Sequence, residues 1–470
     1  MSSFGALNTA YRGLSAAQQA MDLAGHNVAN VGTDGYTRQR IDQSSMTPPK
    51  SMFASTGVQV GQGVSVDRIA RLGNALLDAT MRTATSSAAY LTQRSAAFDR
   101  IEATLREPGS DGVSAHLESF WAAWQDVANW PSEPGPANAL LHEARQLVSA
   151  LSTGRSALDE QWADTRSSAE AMTTSLNDSA AQVAALNKSI RSALNAGGQA
   201  NELIDARARL TETIASLAGG TVREEPDGTV SVYLGGNALV RGDAARAVRL
   251  TGADTMAAAT AAPSLEWADQ PGLAVGLEGG SIAGALSVLA PASGGAGGPI
   301  AEAAARYDAV AASLAETVNE AHRAGQTQSG ATGLDFFQFD RARGATSLTV
   351  IPVDRTQLAT GGSGAGPLDG SNADAIAQLA LGPDSPDARW AAFVTATGSA
   401  SRAAGQQSLR ADAAAGTAKQ AQTAGASVSL DEESVALVAA QHAYQAAARV
   451  LTALDQALDT LINRTGTVGL

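Results

Sequence analysis

Residues 429–461 read SLDEESVALVAAQHAYQAAARVLTALDQALDTL, and apolar side chains recur along them in steps of three and four. This spacing is typical of a helix that pairs with another helix along a narrow seam. One seam position holds Leu437, Tyr444, Leu451 and Leu458, and the other holds Ala440, Ala447, Leu454 and Leu461. Ser429 and Glu432 have the spacing of a capping box, which begins a helix. The pattern therefore predicts a helix from Ser429 to about Asn463.

Residues 4–28 carry the same period. One seam position holds Phe4, Tyr11, Gln18 and Gly25, and the other holds Leu7, Leu14, Met21 and Val28. Two narrow apolar seams at opposite ends of one chain are suited to pairing with each other, so we predict a terminal coiled coil. The period by itself leaves a second interpretation open, because the core helices of an ordinary bundle are amphipathic too.

The middle of the chain changes from helical patterns to strand-like ones and back. Helical periods end at breakers such as Gly197-Gly198. After the turn at 226–228, residues 230–234 alternate between the two faces of a strand, and a further strand is predicted at 348–353. The order of elements is therefore helices, then strands, then helices.

These patterns predict a mainly α fold with terminal coiled-coil helices, an elongated helical bundle and a small inserted β-rich domain. We expect the bundle in two parts, 46–220 and 296–424, on either side of a β-rich insert at 221–295. The two halves of the coiled-coil core are expected at 1–45 and 425–470. Both termini should then lie at the same end of the molecule.

Composition narrows the class of protein. The chain of 470 residues has a formal net charge of −14 and a pI near 4.8, which argues against nucleic acid as a partner. There is no cysteine, so disulfides and thiolate metal sites are excluded. The first residues lack the charged region and apolar core of a secretory signal, and no stretch approaches the roughly 20 apolar residues of a membrane span. We therefore expect no membrane insertion, and no cleaved signal peptide if the protein is exported.

The sequence holds no constellation that is typical of catalysis, cofactor binding or metal binding. Its five histidines have no spacing that would place two on one metal, and neither a phosphate-binding loop nor a Gly-x-Ser-x-Gly elbow occurs. The carboxylate pairs Glu224-Glu225 and Glu432-Glu433 stand beside a turn and at a helix start, where solvated or capping roles are expected. We predict no catalytic residue, no cofactor and no metal, and an interaction protein instead of an enzyme.

Residues 26–40 read HNVANVGTDGYTRQR, which resembles the signature of the flagellar axial proteins, the family of rod, hook and hook-associated subunits. The motif positions are Asn27, Asn30, Thr33, Gly35, Tyr36, Arg38 and Gln39. Their ending, residues 35–39, is similar to the hook-associated branch of the family. Near the other end, Asp431, Glu432 and Glu433 begin a stretch that is similar to the family's C-terminal helix. In the interior of the chain, residues 201–207 resemble the corresponding segment of the family.

The resemblance implies a structural subunit at the junction of hook and filament. Paired terminal helices would form an inner tube around the export channel, the bundle would form the next layer outwards, and residues 221–295 would project from it. It also implies that copies assemble through the seam residues Phe4, Leu7, Tyr11, Leu14, Met21, Val28, Leu437, Tyr444, Leu451, Leu454, Leu458 and Leu461.

The same resemblance implies a set of partners and a location. The expected partners are copies of the chain in a ring, the hook protein, a second junction protein on the filament side, a flagellar export chaperone and the type III export apparatus. The expected location is the extracellular flagellum, reached without a cleaved signal peptide.

Three alternatives stay open at this point. The first is another axial subunit, such as a hook or filament protein, which the ending at residues 35–39 disfavours. The second is a cytoplasmic coiled-coil scaffold, whose ends should be folded and protease-resistant in the free chain. The third is an enzyme housed in residues 221–295, for which no residue constellation speaks.

Overall fold

The computed structural model of the chain describes residues 3–47 and 61–464. The side chain of the predicted seam residue Phe4 lies outside the described part. The helices are α1 Ser3–Ala29, α2 Ala75–Leu105, α3 Val113–Asn129, α4 Pro134–Asn195, α5 Asn201–Ala218, α6 Gly280–Val288, α7 Pro299–Ala324, α8 Ser371–Ala377, α9 Pro386–Ala426 and α10 Leu430–Asp459. The mainly α fold class with terminal helices and a small β insert is confirmed.

Short strands form small antiparallel sheets between the helices. The strands are β1 Gln39–Ser45, β2 Val64–Arg71, β3 Thr221–Glu224, β4 Val230–Leu234, β5 Asn237–Arg241, β6 Ala244–Ala245, β7 Val248–Thr251, β8 Ser264–Trp267, β9 Phe337–Gln338 and β10 Thr349–Val350. β1 pairs with β2, β3 to β6 form a four-stranded sheet in chain order, β7 pairs with β8, and β9 pairs with β10. The predicted strand at 348–353 is therefore shorter, because Pro352 has no N–H to continue the ladder.

The main core lies between α2, α3, α4, α7 and α9. Large side chains fill it, among them Trp124, Trp162, Tyr307 and Trp390, and each of these is almost completely buried. The indole Nε1–H of Trp162 donates to the carbonyl of Leu289 at 3.1 Å, so burial of this ring leaves no donor unpaired. The core is thus built by helices that lie far apart in the sequence.

A second, smaller core joins the β insert to the C-terminal half of α4. Leu176 and Val183 of α4 pack in one cluster with Val232, Leu239 and Trp267 of the strands. The apolar faces of these strands are thus covered by the C-terminal half of α4, and projection of the insert from the rest of the bundle stays a prediction. The end of the predicted β range is the helix α6, whose apolar residues recur every third position.

The bundle ends where the terminal helices begin. The backbone N–H of Arg38 donates to the carbonyl of Ala426 at 2.9 Å, which joins the N-terminal segment to the end of α9. Asn74 caps α2 at the same end, with its side chain accepting from the N–H groups of Leu76 and Leu77. The chain thus leaves and re-enters the bundle at one end, as predicted.

His322 makes the stability of the bundle dependent on pH. It is completely buried; its Nδ1–H donates to the carbonyl of Leu334 at 2.7 Å, and its Nε2 accepts from the backbone N–H of Ala359 at 3.0 Å. Desolvation lowers the pKa of His322, against weaker opposing effects of Leu334 and Asp335. The folded protein therefore keeps this ring neutral at pH values where the unfolded chain protonates it.

We expect the bundle to lose stability as the pH falls below about 6.5, the ordinary histidine pKa, down to the lowered pKa of the folded state. In that window the unfolded chain binds the extra proton, so acid favours unfolding. Urea unfolding between about pH 7 and about pH 5 measures the effect. The variant His322→Gln should show a flatter pH dependence, and His442→Gln, at an exposed position on α10, should match the wild type. An unchanged slope in His322→Gln would contradict the prediction.

Candidate assembly interface

The two terminal helices pair with each other in an antiparallel hairpin. Asn27 near the end of α1 contacts Glu433 in the first turn of α10. Half-way along, a Cβ built on Gly13 would lie 3.9 Å from the Cβ of Ala447. The pair is thus in contact from the joint outwards, and it shares few contacts with the core of the bundle.

The predicted seam of α10 faces α1. Ala440 is buried, and the half-buried seam residues are Leu437, Tyr444, Ala447, Leu451, Leu454 and Leu458. Leu461 is 57% exposed. A short π-helical turn, Thr460–Arg464, extends α10 to the predicted end.

The seam of α1 is rotated by about one residue from the predicted one. The predicted residues Leu7, Leu14 and Met21 are half-buried, but Tyr11 is 61% exposed and Val28 is also exposed. The buried residues of α1 are instead Ala10, Ala16, Ala17, Leu23, Ala24 and Asn27. Alanine lets the two helix backbones approach closely. The face of α1 that carries the smaller side chains therefore packs against α10, and the face with Tyr11 does not.

Much apolar surface of the pair is left uncovered in a single copy. In the 30 residues of α10, only Glu433 and Ala440 are buried. The large exposed side chains of the described terminal segments are Tyr11, Val28, Val31, Leu430, Val435, Val438, Val450, Leu461 and Ile462. Exposed apolar residues in such number are typical of a surface that takes part in protein contacts.

A buried amide at the base of the pair organises the joint with the bundle. The side chain of Asn27 is 1% exposed. Its Nδ2 donates to the carbonyl of Gln39 at 2.9 Å and to Oε2 of Glu433 at 3.1 Å. Its Oδ1 accepts from the hydroxyl of Tyr36 at 2.7 Å and from the backbone N–H of Gln39 at 3.1 Å. Both N–H donors and both acceptor sites of this amide therefore have a hydrogen-bond partner.

An arginine connects the same joint to the start of α10. The Arg38 Nε donates to Oε1 of Glu433 at 2.7 Å, and its Nη1 donates to Glu432. Glu433 is 3% exposed, whereas the side chain of Glu432 is 63% exposed. Asp431, the third acidic residue of the motif, lies on the surface of the first turn. Only Glu433 of the three is thus built into the joint.

The N-terminal segment is held to the bundle by α5. The carboxylate of Asp205 accepts from the backbone N–H of Thr37 at 3.1 Å and forms an ion pair with Arg71. The side-chain oxygen of Gln39 accepts from Asn201 Nδ2 at 3.0 Å. The segments in contact are more than a hundred residues apart in the chain.

Two further motif residues shape the turn after α1. Burial, and then the carboxylates of Asp205, Glu202 and Glu433, raise the pKa of Tyr36 to about 12, so its hydroxyl stays a donor to Asn27. Gly35 has a φ of +73°, and a Cβ there would lie 2.8 Å from the Cδ of Arg209. The positive φ therefore favours glycine at position 35, and a larger residue would also have to displace the flexible Arg209 side chain.

The remaining motif residues, Asn30 and Thr33, make local contacts near the surface. Asn30 Nδ2 donates to the carbonyl of His26 at 3.0 Å, and its Oδ1 accepts from the hydroxyl of Thr33 at 3.2 Å. They close the turn after α1 and do not reach the bundle through these bonds.

The serine cap of α10 gives a modest, measurable contribution. The Ser429 hydroxyl accepts from the N–H of Glu432 at 3.4 Å. We expect Ser429→Ala to destabilise the start of α10 by about 1 kcal/mol. Hydrogen exchange of the first-turn amides measures it, with Ser427→Ala, outside the helix, as the control. Equal exchange in both variants would show that the cap contributes nothing.

Comparison with known proteins places this architecture. Family models described as flagella basal body rod protein and as flagellar basal body rod FlgEFG protein C-terminal match residues 7–37 and 420–464. The two ends thus define a protein of the flagellar rod and hook class. The model of the flagellar hook-associated protein FlgK helical domain matches residues 98–337, just over half of the chain. The chain belongs to this family of flagellar hook-associated proteins, which are structural proteins of the flagellum.

Individual relatives agree with the family. Flagellar hook-associated protein 1 of Bacillus subtilis (strain 168) is 28% identical over 512 aligned residues, which cover 100% of this chain and 99% of the relative. The protein of the same description from Salmonella typhimurium is 28% identical over 243 residues, 51% of this chain and 43% of the relative. The structure of the flagellar hook junction protein FlgK from Burkholderia pseudomallei has a TM-score of 0.64 and 16% identity, over 75% of this chain and 100% of that chain, and shares the fold.

The described ranges hold neither a membrane-spanning helix nor a cluster suited to a metal ion. Within residues 3–47 and 61–464, no helix has both the length and the apolar character needed to cross a membrane. Over the same residues, no group of three or more histidine, aspartate or glutamate side chains is arranged to hold a metal ion.

Proposed function

We propose that this chain is a structural subunit of the bacterial flagellum that joins the hook to the filament and permits filament assembly. The observation that carries the proposal is the terminal helix pair, whose apolar faces are left uncovered in a single copy. The hook-associated protein 1 of Bacillus subtilis, which aligns with the whole chain, supports it.

Assembly of copies would cover the exposed faces. Each leucine or valine side chain that becomes buried contributes about 1.5–3 kcal/mol, less the cost of ordering it. Copies that repeat around an axis make head-to-tail contacts, which close into a ring or extend into a tube. The residues proposed to make these contacts are Phe4, Leu7, Tyr11, Leu14, Met21, Val28, Leu437, Tyr444, Leu451, Leu454, Leu458 and Leu461.

The proposed arrangement of domains follows from this. Residues 1–45 and 425–470 would form the axial core around the export channel. The bundle parts, 46–220 and 296–424, would form the next layer outwards, with residues 221–295 projecting from it. The joint at Asn27 would set the angle between core and bundle, because it is the place where both meet.

The individual binding partners are part of the same proposal. We infer contacts with further copies, with the hook protein and with a second junction protein on the filament side. Before assembly, a flagellar export chaperone and the type III export apparatus would handle the chain, which reaches the extracellular flagellum without a cleaved signal peptide. The net charge of −14 disfavours nucleic acid as a partner. We propose no enzymatic activity, because the joint and the seam are built for contact and not for chemistry.

Deletion of the gene tests the role. Electron microscopy of the cells should show hooks without filaments, and monomeric flagellin should accumulate in the medium. A plasmid copy of the wild-type gene should restore filaments. Normal filaments in the deletion strain would refute the junction role, and cells without hooks would assign the chain to a rod or hook subunit instead.

A further inference from the structure

Three helices of the bundle, α2, α7 and α9, line a cavity of about 310 Å³. Its described lining residues all fall between positions 94 and 400, so the cavity belongs to the bundle and not to the terminal helices. Part of the lining is apolar: Ile101 and Phe393 are almost completely buried, and the half-buried Phe98 packs against the same core. The cavity therefore offers an apolar surface to a ligand that enters it.

Two arginines line the same cavity, Arg94 on α2 and Arg306 on α7. The Arg94 Nη1 donates to the hydroxyl of Ser287 at 2.9 Å, and the guanidinium of Arg306 lies 5.7 Å from the centre of the Phe393 ring. Both of these partners are neutral. Among the residues that the structure describes, neither guanidinium forms an ion pair. Two positive charges thus stand beside an apolar surface with no carboxylate bonded to them.

The acidic residue of the described lining, Glu302, is bonded to the backbone instead. Its Oε1 accepts from the N–H of Ser293 at 2.6 Å and from the N–H of Gly297 at 3.0 Å, which holds the loop before α7 against the first turn of that helix. Glu302 and Arg306 have the i, i+4 spacing of an ion pair on a helix, but the structure shows none between them. The described lining therefore carries two positive charges and one negative charge, in a chain whose net charge is −14.

An apolar surface and two guanidinium groups at one cavity define the chemistry of a matching ligand. A guanidinium binds a carboxylate through parallel N–H donors, and an apolar group gains about 25 cal/mol for each Å² that it removes from water. The volume is at the lower end of the range for small-molecule sites, about 300–1,000 Å³, so the ligand must be small. A neutral or cationic ligand of the same size would leave both arginines without a negative partner.

We propose that this cavity binds a small carboxylic acid with an apolar body, either aliphatic or aromatic. Arg94 and Arg306 donate to the carboxylate, and the apolar body covers Phe98, Ile101 and Phe393. This goes beyond the junction role, because it concerns a small ligand and residues of the bundle that assembly through the terminal helices does not use.

Isothermal titration calorimetry of the full-length purified chain tests the proposal. The probes are sodium octanoate, with an aliphatic body, and sodium 2-naphthoate, with an aromatic one. Two control ligands each lack one half of the proposed chemistry. Octyltrimethylammonium has the same chain as octanoate and the opposite charge, and acetate has the carboxylate without the apolar body.

Matched pairs of variants locate the binding. Arg94→Gln and Arg306→Gln remove the cations, and Arg100→Gln is their control, because Arg100 lies on α2 but does not line this cavity. Ala396→Phe fills the cavity from an exposed position on α9. Ala391→Phe adds the same ring at another exposed position of α9, outside the cavity.

The wild type should bind octanoate or 2-naphthoate in a saturable one-to-one complex, and the tighter of the two probes shows which kind of apolar body the cavity takes. Arg94→Gln and Arg306→Gln should each raise the Kd by roughly tenfold, since a hydrogen bond to a charged group is lost. Ala396→Phe should abolish the binding, and both control variants should bind as the wild type does.

The proposal is overturned if neither probe forms a one-to-one complex, or if octyltrimethylammonium binds as tightly as octanoate. Binding that Ala396→Phe leaves unchanged takes place on another surface and overturns it as well. If thermal melting shows that an arginine variant does not fold, the pair Ala396→Phe and Ala391→Phe still decides the question. None of these outcomes bears on the junction role, which the deletion strain tests.

Discussion

Asn27→Ala is expected to release both terminal helices from the bundle. The substitution leaves the backbone N–H and carbonyl of Gln39 without their partner, and it removes one bond each from the Tyr36 hydroxyl and the Glu433 carboxylate. Each buried polar group left unpaired costs about 1–3 kcal/mol, so the joint should lose on the order of 4 kcal/mol. Hydrogen exchange of α1 and α10 should rise by roughly a thousandfold, while the core of the bundle keeps its protection.

The matched control for this substitution is Asn30→Ala. Asn30 belongs to the same motif, but its two bonds are local and lie near the surface. It should cost about 1 kcal/mol or less. Introduced into the deletion strain, Asn30→Ala should restore filaments and Asn27→Ala should not. Equal behaviour of the two variants would contradict the role given to the buried amide.

Asp205→Asn is expected to separate the helix pair from the bundle without separating the two helices. The charge of Asp205 compensates Arg71 and its oxygen accepts from the N–H of Thr37 in a buried setting. Removing one partner of such a buried ion pair costs about 3 kcal/mol. Amides of residues 36–39 and of β2 should lose protection, but α1 and α10 should keep theirs, because Asn27 and Glu433 still bond each other.

Glu202→Gln controls for the loss of a negative charge on the same helix. The side chain of Glu202 is 63% exposed and bonds Gln39 Nε2 at 3.2 Å at the rim of the joint. Because exposed pairs contribute little, this variant should change stability by less than about 1 kcal/mol. If Asp205→Asn assembles filaments as well as Glu202→Gln does, the attachment to α5 has no role in assembly.

The periodic parts of the fold could be predicted from the sequence. The sequence predicts the seam of α10 residue by residue from Leu437 to Leu458. Leucines that share one face of a helix are buried where another helix packs on that face. On α1 the prediction followed the larger residues, and Tyr11 proved exposed while Ala17 and Ala24 are buried. The spacing of apolar residues predicts which face of a helix is buried only to within about one residue when alanines on a neighbouring face can make the contact as well.

The joint could not be predicted from the sequence, although its motif was visible. The motif residues at 26–40 and 431–433 are visible in the sequence, but the contacts between the two stretches are not. Asp205, Arg71 and Asn201 were missed as site residues, because their partners stand far away in the chain and no local pattern marks a long-range hydrogen bond. The resemblance of residues 201–207 to the family is a signal that points to Asn201 and Asp205, but no such signal marks Arg71.

The surface on which the β insert packs could likewise not be predicted from the sequence. Alternation at residues 230–234 predicted strands, but a strand pattern does not say which surface covers its apolar face. The structure gives that role to Leu176 and Val183 of α4, which the sequence presents as ordinary helix residues.

Immunogold electron microscopy of intact flagella tests the junction role most directly. An epitope inserted after Gly272 suits the purpose, because this glycine is exposed and a Cβ there would have no neighbour within 4 Å. Filaments on the tagged strain would show that the tag is tolerated. The proposed function predicts label in a single band between hook and filament. Label along the whole hook or filament, or only in the cytoplasm, would contradict it.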